Sequence, residues 1–216
     1  MRRPLIIILT VLLIDQALKF WIKTNMYLGQ EYRIAGDWFI IHFTENNGMA
    51  FGLEFAGEYG KLFLSLFRIV AVFGIGWYLS RLVIEKAHPL LITSMSLILA
   101  GAIGNIIDSA FYGIIFSASD FRLAEFLPAD GGYSSLLHGK VVDMFYFPII
   151  QNAHFPSWFP IWAGEEFEFF RPVFNFADAS ISTGVITLFI FQKKFFSDTD
   201  INAEQEVKSS SDQPQA

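Results

Sequence analysis

Four stretches of this 216-residue chain are apolar over lengths that match the thickness of a bilayer. They run from Pro4 to Ile22, about Leu62 to Ser80, about Leu90 to Phe111 and about Phe174 to Phe191. A helix needs about 20 mostly apolar residues to cross about 30 Å of hydrocarbon. Lipid offers no hydrogen bonds to the backbone, so such stretches fold as helices. The fold expected is an all-α membrane bundle of four transmembrane helices, with the intervening segments outside it. A composition that is 53% hydrophobic and 17% charged agrees.

Arg2 and Arg3 ahead of the first stretch also suit the start of a secretory signal. Asp15 and Lys19 interrupt its second half, however, and no small-x-small cleavage site follows, so a retained span is the better reading. Basic residues near span ends set the orientation. Arg2, Arg3, Arg81, Lys86, Lys193 and Lys194 all fall on one side of a four-span chain, which makes both termini cytoplasmic. Lys23, Lys61 and Arg171 on the other side soften the asymmetry.

The spans and what they enclose form a single integral membrane domain over residues 1–196, with external regions at 23–61 and 112–173. In the first region, Trp38-Phe39-Ile40-Ile41-His42-Phe43-Thr44 reads as a strand, and a small β-sheet on the outer face is expected. The second is dense in aromatics, including Phe145, Tyr146, Phe147, Trp158 and Trp162, and suits an interfacial belt or amphipathic segment. Residues 197–216 are polar and lack aromatics, and a disordered cytoplasmic tail is expected there. With no cysteine, disulfides and thiol chemistry are excluded. A net charge of -6 does not point to nucleic acid.

The polar residues within the spans gather at one depth. With span one running outward, Asp15 and Lys19 lie in its outer half. Arg68 lies near the outer start of span two, Asn105 and Asp108 near the outer end of span three, and Asn175 and Asp178 at the outer start of span four. Asp143 lies in the segment that feeds span four. Charges at membrane depth are costly and are usually paired or functional. Asp15 and Lys19 are four apart on one helix face and read first as an internal ion pair. Asn105 and Asp108, three apart, suit hydrogen bonding between helices. Arg68 reads as a side chain snorkelling to the interface.

Asp143 and Asp178 have no basic partner at helical spacing. Two carboxylates in an apolar rim can share a proton, and such a pair can activate a water while polarising a carbonyl. The plainer alternative is two separate capping or interface residues, since a helix start favours negative charge as at Asp178. The four histidines show no metal-ligand spacing, and no G-x-S-x-G elbow is present.

Five blocks, in order, resemble the lipoprotein signal peptidase family, the bacterial type II signal peptidases. They are Asp15-Gln16-Ala17-Leu18-Lys19, Asn46-Asn47-Gly48-Met49-Ala50-Phe51-Gly52, Gly101-Ala102-Ile103-Gly104-Asn105-Ile106-Ile107-Asp108, Val141-Val142-Asp143 and Phe174-Asn175-Phe176-Ala177-Asp178. The similarity extends over about residues 4 to 192. It implies an aspartyl endopeptidase of the bacterial inner membrane, with its active site near the outer face. Such an enzyme cleaves diacylglyceryl prolipoproteins just before the lipidated cysteine. The resemblance further implies Asp143 and Asp178 as the catalytic pair, with Asp15, Lys19, Asn46, Gly48, Asn105, Asp108 and Asn175 in support. It implies a sheet that cradles substrate and a mobile external lid. No cofactor is required, membrane lipids surround the chain, and a monomer is expected.

Two departures stand out. Ser109 occupies a position where the family usually has arginine, so that a charge is missing or is supplied by another residue such as Arg122 or Lys140. Segments 109–140 and 148–173 are longer than usual. The main alternative, a proton-coupled membrane transporter, predicts acids distributed through the bilayer and often inverted repeats.

Overall fold

The computed structural model describes residues 2–47, 57–148, 150–154, 156–158, 160, 164–169 and 172–211. Four long helices are joined by strands at one end: α1 (Arg2–Asn25), α2 (Gly57–Ile84), α3 (Pro89–Ile107) and α5 (Phe176–Ser211). A π-helical turn, Asp108–Tyr112, extends α3 into the short helix α4 (Gly113–Ile115). Among the described residues, three helical segments, Arg2–Asn25, Gly60–Ile84 and Pro89–Ile115, are long and apolar enough to cross a membrane by length and composition. The early turns of α5 carry Asp178, Ser180, Ser182 and Thr183, which dilute its hydropathy. Backbone helix in α5 continues to Ser211, through the polar segment that composition alone reads as a tail without structure. Glutamate, glutamine, alanine and lysine there are good helix formers.

Polarity in the bundle is the reverse of that in a water-soluble protein. Asp15, Lys19 and Asp108 are fully buried, whereas Leu13, Phe63, Val70, Phe73 and Phe189 point outward. Lipid solvates such apolar side chains and leaves polar ones to find partners inside. Small residues let the helices close. A Cβ on Gly101 would lie 2.3 Å from the Ala177 carbonyl oxygen, and one on Gly184 would lie 2.7 Å from that of Ser94, so α3 and α5 meet almost backbone to backbone.

The external sheet draws on both external regions. Its order is β1 (Glu31–Ala35), β2 (Phe39–Asn46), β3 (Val141–Tyr146) and β6 (Val173–Phe174), each pair antiparallel. β4 (Ile150–His154) and β5 (Glu166–Phe169) form a separate two-stranded sheet. The expected strand around Trp38–Thr44 is β2. Part of the aromatic region, read from composition as an interfacial belt, instead supplies strands. Its β3 residues meet β2 across about 100 residues of sequence, as Asp143 does Thr44, while β4 pairs with β5 and β3 with β6 over shorter separations.

Segment 116–140 is tied down rather than left free. Ser117 N–H donates to Glu125 O, Ala124 N–H to Lys23 O and Tyr133 N–H to Phe116 O. Its Phe116 and Ala124 pack with Ile22, Met26, Phe43, Val142 and Met144 in one apolar cluster. Lys23, fully buried at the end of α1, bridges to Glu45 at 2.6 Å and Ser119 Oγ at 2.7 Å, and its ammonium lies 4.9 Å from the Tyr133 ring centre. Lys140 reaches the other oxygen of Glu45 at 3.2 Å. Burial opposes ionisation of Glu45, but Lys23 and Lys140 outweigh it and hold the carboxyl below its ordinary range.

Candidate active site

Four elements converge on one polar centre. α1 contributes Asp15, Gln16 and Lys19; α3 and its π turn contribute Asn105 and Asp108; β3 contributes Asp143; and the β6–α5 junction contributes Asn175 and Asp178. Lys19 Nζ lies 2.9 Å from Asp15 Oδ2 and 2.8 Å from Asp108 Oδ2, all three side chains fully buried. The expected Asp15–Lys19 pair is therefore a triad that joins α1 to α3. Its remaining acceptors are used. Asp15 Oδ1 accepts the Ala177 N–H at 2.9 Å, Asp108 Oδ2 accepts the Val142 N–H at 3.2 Å, and Gln16 Nε2 donates to both carboxylates. Asp108 opens the π turn, a local widening that often occurs at functional positions. A Cβ on Gly104 would stand 2.7 Å from Asp15 Oδ2, so glycine there makes room for the carboxylate.

The triad leads to the two aspartates through two asparagines. Lys19 Nζ donates to Asn105 Oδ1 at 3.0 Å, and Asn105 Nδ2 donates to Asp178 Oδ1 at 2.8 Å. Asn175 Nδ2 donates to Asp143 Oδ1 at 2.7 Å and to Asn105 Oδ1 at 3.1 Å. Because Lys19 holds the Asn105 carbonyl oxygen, its amide nitrogen must face Asp178. Asn175 also caps α5: the Asp178 N–H donates to Asn175 Oδ1 at 2.9 Å, and the Asn175 N–H reaches back to Asp178 Oδ2 at 3.4 Å. This is the reciprocal arrangement of a capping box, with aspartate in the third position. Asp178 is thus both a helix-start residue and part of the convergent centre, and the two sequence readings of it are compatible.

Asp143 stands on a regular strand, not in an irregular segment. Strand alternation sends its buried neighbours Val142 and Met144 into the core beneath the sheet. Asp143 takes the opposite face. Phe145, which also packs against that core, joins Phe39, Phe147 and Phe174 ring against ring; Phe39 and Phe147 stack at 4.7 Å. Burial, followed by the charge of Asp178, pushes the Asp143 carboxyl up to about 7, against the opposing pull of Asn175, Lys19 and Asn46. Asn46, at the end of β2, is one of the hydrogen-bond partners of that carboxyl. Gly48 lies outside the described residues.

Arg68 does more than snorkel. On α2 it is half-buried, and its charge acts on Asp178 first and on Asp143 second. It lies one turn beyond the buried Ser65, whose Oγ donates to Leu137 O at 3.1 Å, and Lys61 on the same stripe donates to Asn47 Oδ1 at 3.3 Å. The spacing 61, 65, 68 marks an inward polar stripe on a helix that is otherwise apolar. That periodicity was the available signal. Ser109 turns its Oγ back to the Asn105 carbonyl at 3.0 Å. Neither substitute named for a missing arginine meets the aspartates directly: Arg122 is exposed and Lys140 pairs with Glu45.

A family profile described as signal peptidase (SPase) II matches residues 7–194. The chain belongs to the signal peptidase II family. It is 55% identical over 185 residues to a lipoprotein signal peptidase of Porphyromonas gingivalis, covering 85% of this chain and 80% of that one. It is 37% identical over 191 residues to a lipoprotein signal peptidase of Amoebophilus asiaticus, covering 87% and 76%. Two solved structures of a bacterial membrane enzyme, obtained by the in meso method, share the fold. One has a TM-score of 0.57 at 22% identity, covering 92% of each chain; the other has 0.56 at 24%, covering 88% of this chain and 92% of that one. Signal peptidase II proteins are proteases, and the three apolar helices here suit a membrane member of that family.

Proposed function

We propose that this signal peptidase II is an aspartyl endopeptidase that removes the signal peptide from diacylglyceryl-modified prolipoproteins. It cuts just before the lipidated cysteine, with Asp143 and Asp178 as the catalytic pair. The observation that carries the reading is the pairing of these two carboxyls through Asn175 and Asn105 above a fully buried Asp15–Lys19–Asp108 triad. Lys19 balances one charge of its own two carboxylates, so a second pair of acids nearby favours holding a proton. The raised carboxyl of Asp143 suits it as the proton carrier.

Chemistry follows from that division. Asp178, ionised and held by Asn105, takes a proton from a water as it attacks the scissile carbonyl carbon. Protonated Asp143 donates to the carbonyl oxygen. The tetrahedral carbon then collapses: one of its two hydroxyls returns a proton to Asp143 as the C=O re-forms, Asp178 passes its proton to the leaving nitrogen, and the C–N bond breaks. Arg68 sits as a counter-charge to the carboxylate that remains ionised. The aromatic face beside Asp143 offers apolar walls for acyl chains or for the signal helix. The external sheet serves as the cradle, and the lid function falls to external chain other than the tied segment 116–140.

In the membrane, α5 serves as the fourth span, since its exposed Val185, Ile186, Phe189 and Ile190 form a lipid-facing surface. Both termini are cytoplasmic, residues 1–196 act as one domain in a monomer, and the site faces the outer side of the inner membrane. The acids gather at one depth rather than along a path, which favours a peptidase over a proton-coupled transporter. Cleavage of a diacylglyceryl prolipoprotein by inserted, folded Asp143→Asn and Asp178→Asn variants tests the reading. Near-complete loss is expected in both, and substantial turnover by either one overturns the pair.

A further inference from the structure

At the opposite end of the bundle, a cavity of about 440 Å³ lies between the start of α1, the end of α2 and the start of α3. Arg2, Arg3, Ile7, Val83, Ile92 and Thr93 line it, together with two prolines. Helix rise places Lys19 about 24 Å along α1 from Arg3. The cavity therefore belongs to the other side of the bilayer from the aspartates, and the mechanism makes no use of it.

Its lining is sharply divided. Two guanidinium groups stand against aliphatic walls from three helices. Between residues 80 and 95 the single acid is Glu85, which pairs with Arg81 at 3.7 Å, while Lys86 adds a further positive charge to the same turn. The charge of that turn is therefore positive, and no acid within it is left to neutralise Arg2 and Arg3. Guanidinium forks match phosphate oxygens. Basic pockets between membrane helices on the cytoplasmic side suit anionic lipid headgroups. The volume lies within the roughly 300–1,000 Å³ of ordinary small-molecule sites.

We propose that this cavity binds the phosphate headgroup of an anionic phospholipid from the leaflet on that side. The guanidinium groups of Arg2 and Arg3 hold the phosphate, and the acyl chains run over Ile7, Val83 and Ile92. Free phosphate shares the headgroup chemistry but leaves those apolar walls empty, so the lipid is the better occupant. This inference rests on α1, α2 and α3 spanning a membrane and is independent of the peptidase reading.

The test uses the full-length protein in mild detergent, with native mass spectrometry and thermal unfolding after addition of phosphatidylglycerol or phosphatidylcholine. Phosphatidylglycerol should be retained preferentially and raise the unfolding temperature. Each arginine changed to glutamine at positions 2 and 3 should cost about fivefold in that preference. Because those arginines also guide insertion, Ile92→Trp, which fills the cavity and keeps the charges, provides a second route and should abolish the preference. Arg33→Gln with Arg122→Gln removes the same charge at the far end and should leave it intact. Equal retention of the two lipids, an equal loss in that far-end variant, or an unchanged preference in Ile92→Trp would each overturn the proposal. So would glycerol phosphate alone raising the unfolding temperature as far as the lipid does.

Discussion

Asn175 donates its amide to Asp143 at 2.7 Å while its own oxygen caps the amide of Asp178 at 2.9 Å, so one side chain holds a strand and a helix start in fixed relation. Asn175→Ala removes both contacts and leaves a buried carboxyl without its closest donor. Turnover should fall on the order of 100-fold, with a smaller effect on KM, because loss of one oriented donor at a reacting centre has that scale. Single-turnover cleavage separates the two effects. Unchanged turnover would remove Asn175 from the machinery.

The raised carboxyl of Asp143 predicts how the enzyme responds to pH. A pair that needs one proton loses activity as pH rises through about 7, where Asp143 gives its proton up. Stability follows the same sign. The folded value lies above the ordinary carboxylate value of about 4, so this contribution is complete below that value and lost as pH rises through about 7. A pH–rate profile and unfolding temperatures from pH 4 to 9 check both, and Asp143→Asn should flatten the stability trend.

Lys19→Met strands Asp15 and Asp108, each 0% exposed at the side chain, without their shared cation. Removing one partner from a buried ionic cluster costs about 3–5 kcal/mol. Unfolding in detergent should show that loss. A companion Asp108→Asn change should recover part of it, since one fewer carboxylate then needs a charge. If Lys19→Met unfolds like the parent, the triad is not structural.

Arg68→Gln removes the cation that acts on Asp178 and Asp143 from α2. Without it the Asp143 carboxyl binds its proton more tightly, so the pH–rate profile should move to higher pH while KM changes little. Arg68→Lys should restore most of the profile. An unshifted profile with reduced rate at every pH would mark Arg68 as packing alone.

Gly101→Ala places a Cβ 2.3 Å from the backbone oxygen of Ala177, a contact that no rotamer relieves. The helix carrying Asp178 must then shift away from the one carrying Asn105. A loss of about 2 kcal/mol or more is expected in unfolding, with turnover falling further than stability. Gly74→Ala, with open space around it inside α2, should lower neither measurement.

Residue order alone made several features readable. Apolar stretches long enough to span lipid leave a helix as the single hydrogen-bonded solution, so the bundle followed from length and hydropathy. Asp15 and Lys19 at a spacing of four, and Asn175 just ahead of Asp178, are local geometry that any helix start or helix face repeats. The five blocks carried the family. Spacing along the chain could not show that Lys19 has two carboxylates as partners, because Asp108 reaches it only when α3 packs on α1. Asp143 gave no sign of lying on a strand, since β3 exists through pairing with β2, about 100 residues earlier. Arg68 read as a residue reaching for water, until the packing of α2 turned its stripe inward. The long segment after Ser109 likewise read only as an extension of the outer face, and its fastening through Lys23, Glu45 and Ser119 needs the fold. Local periodicity sets which elements form; which carboxylates come together depends on contacts between elements far apart in sequence, and only the tertiary fold supplies those.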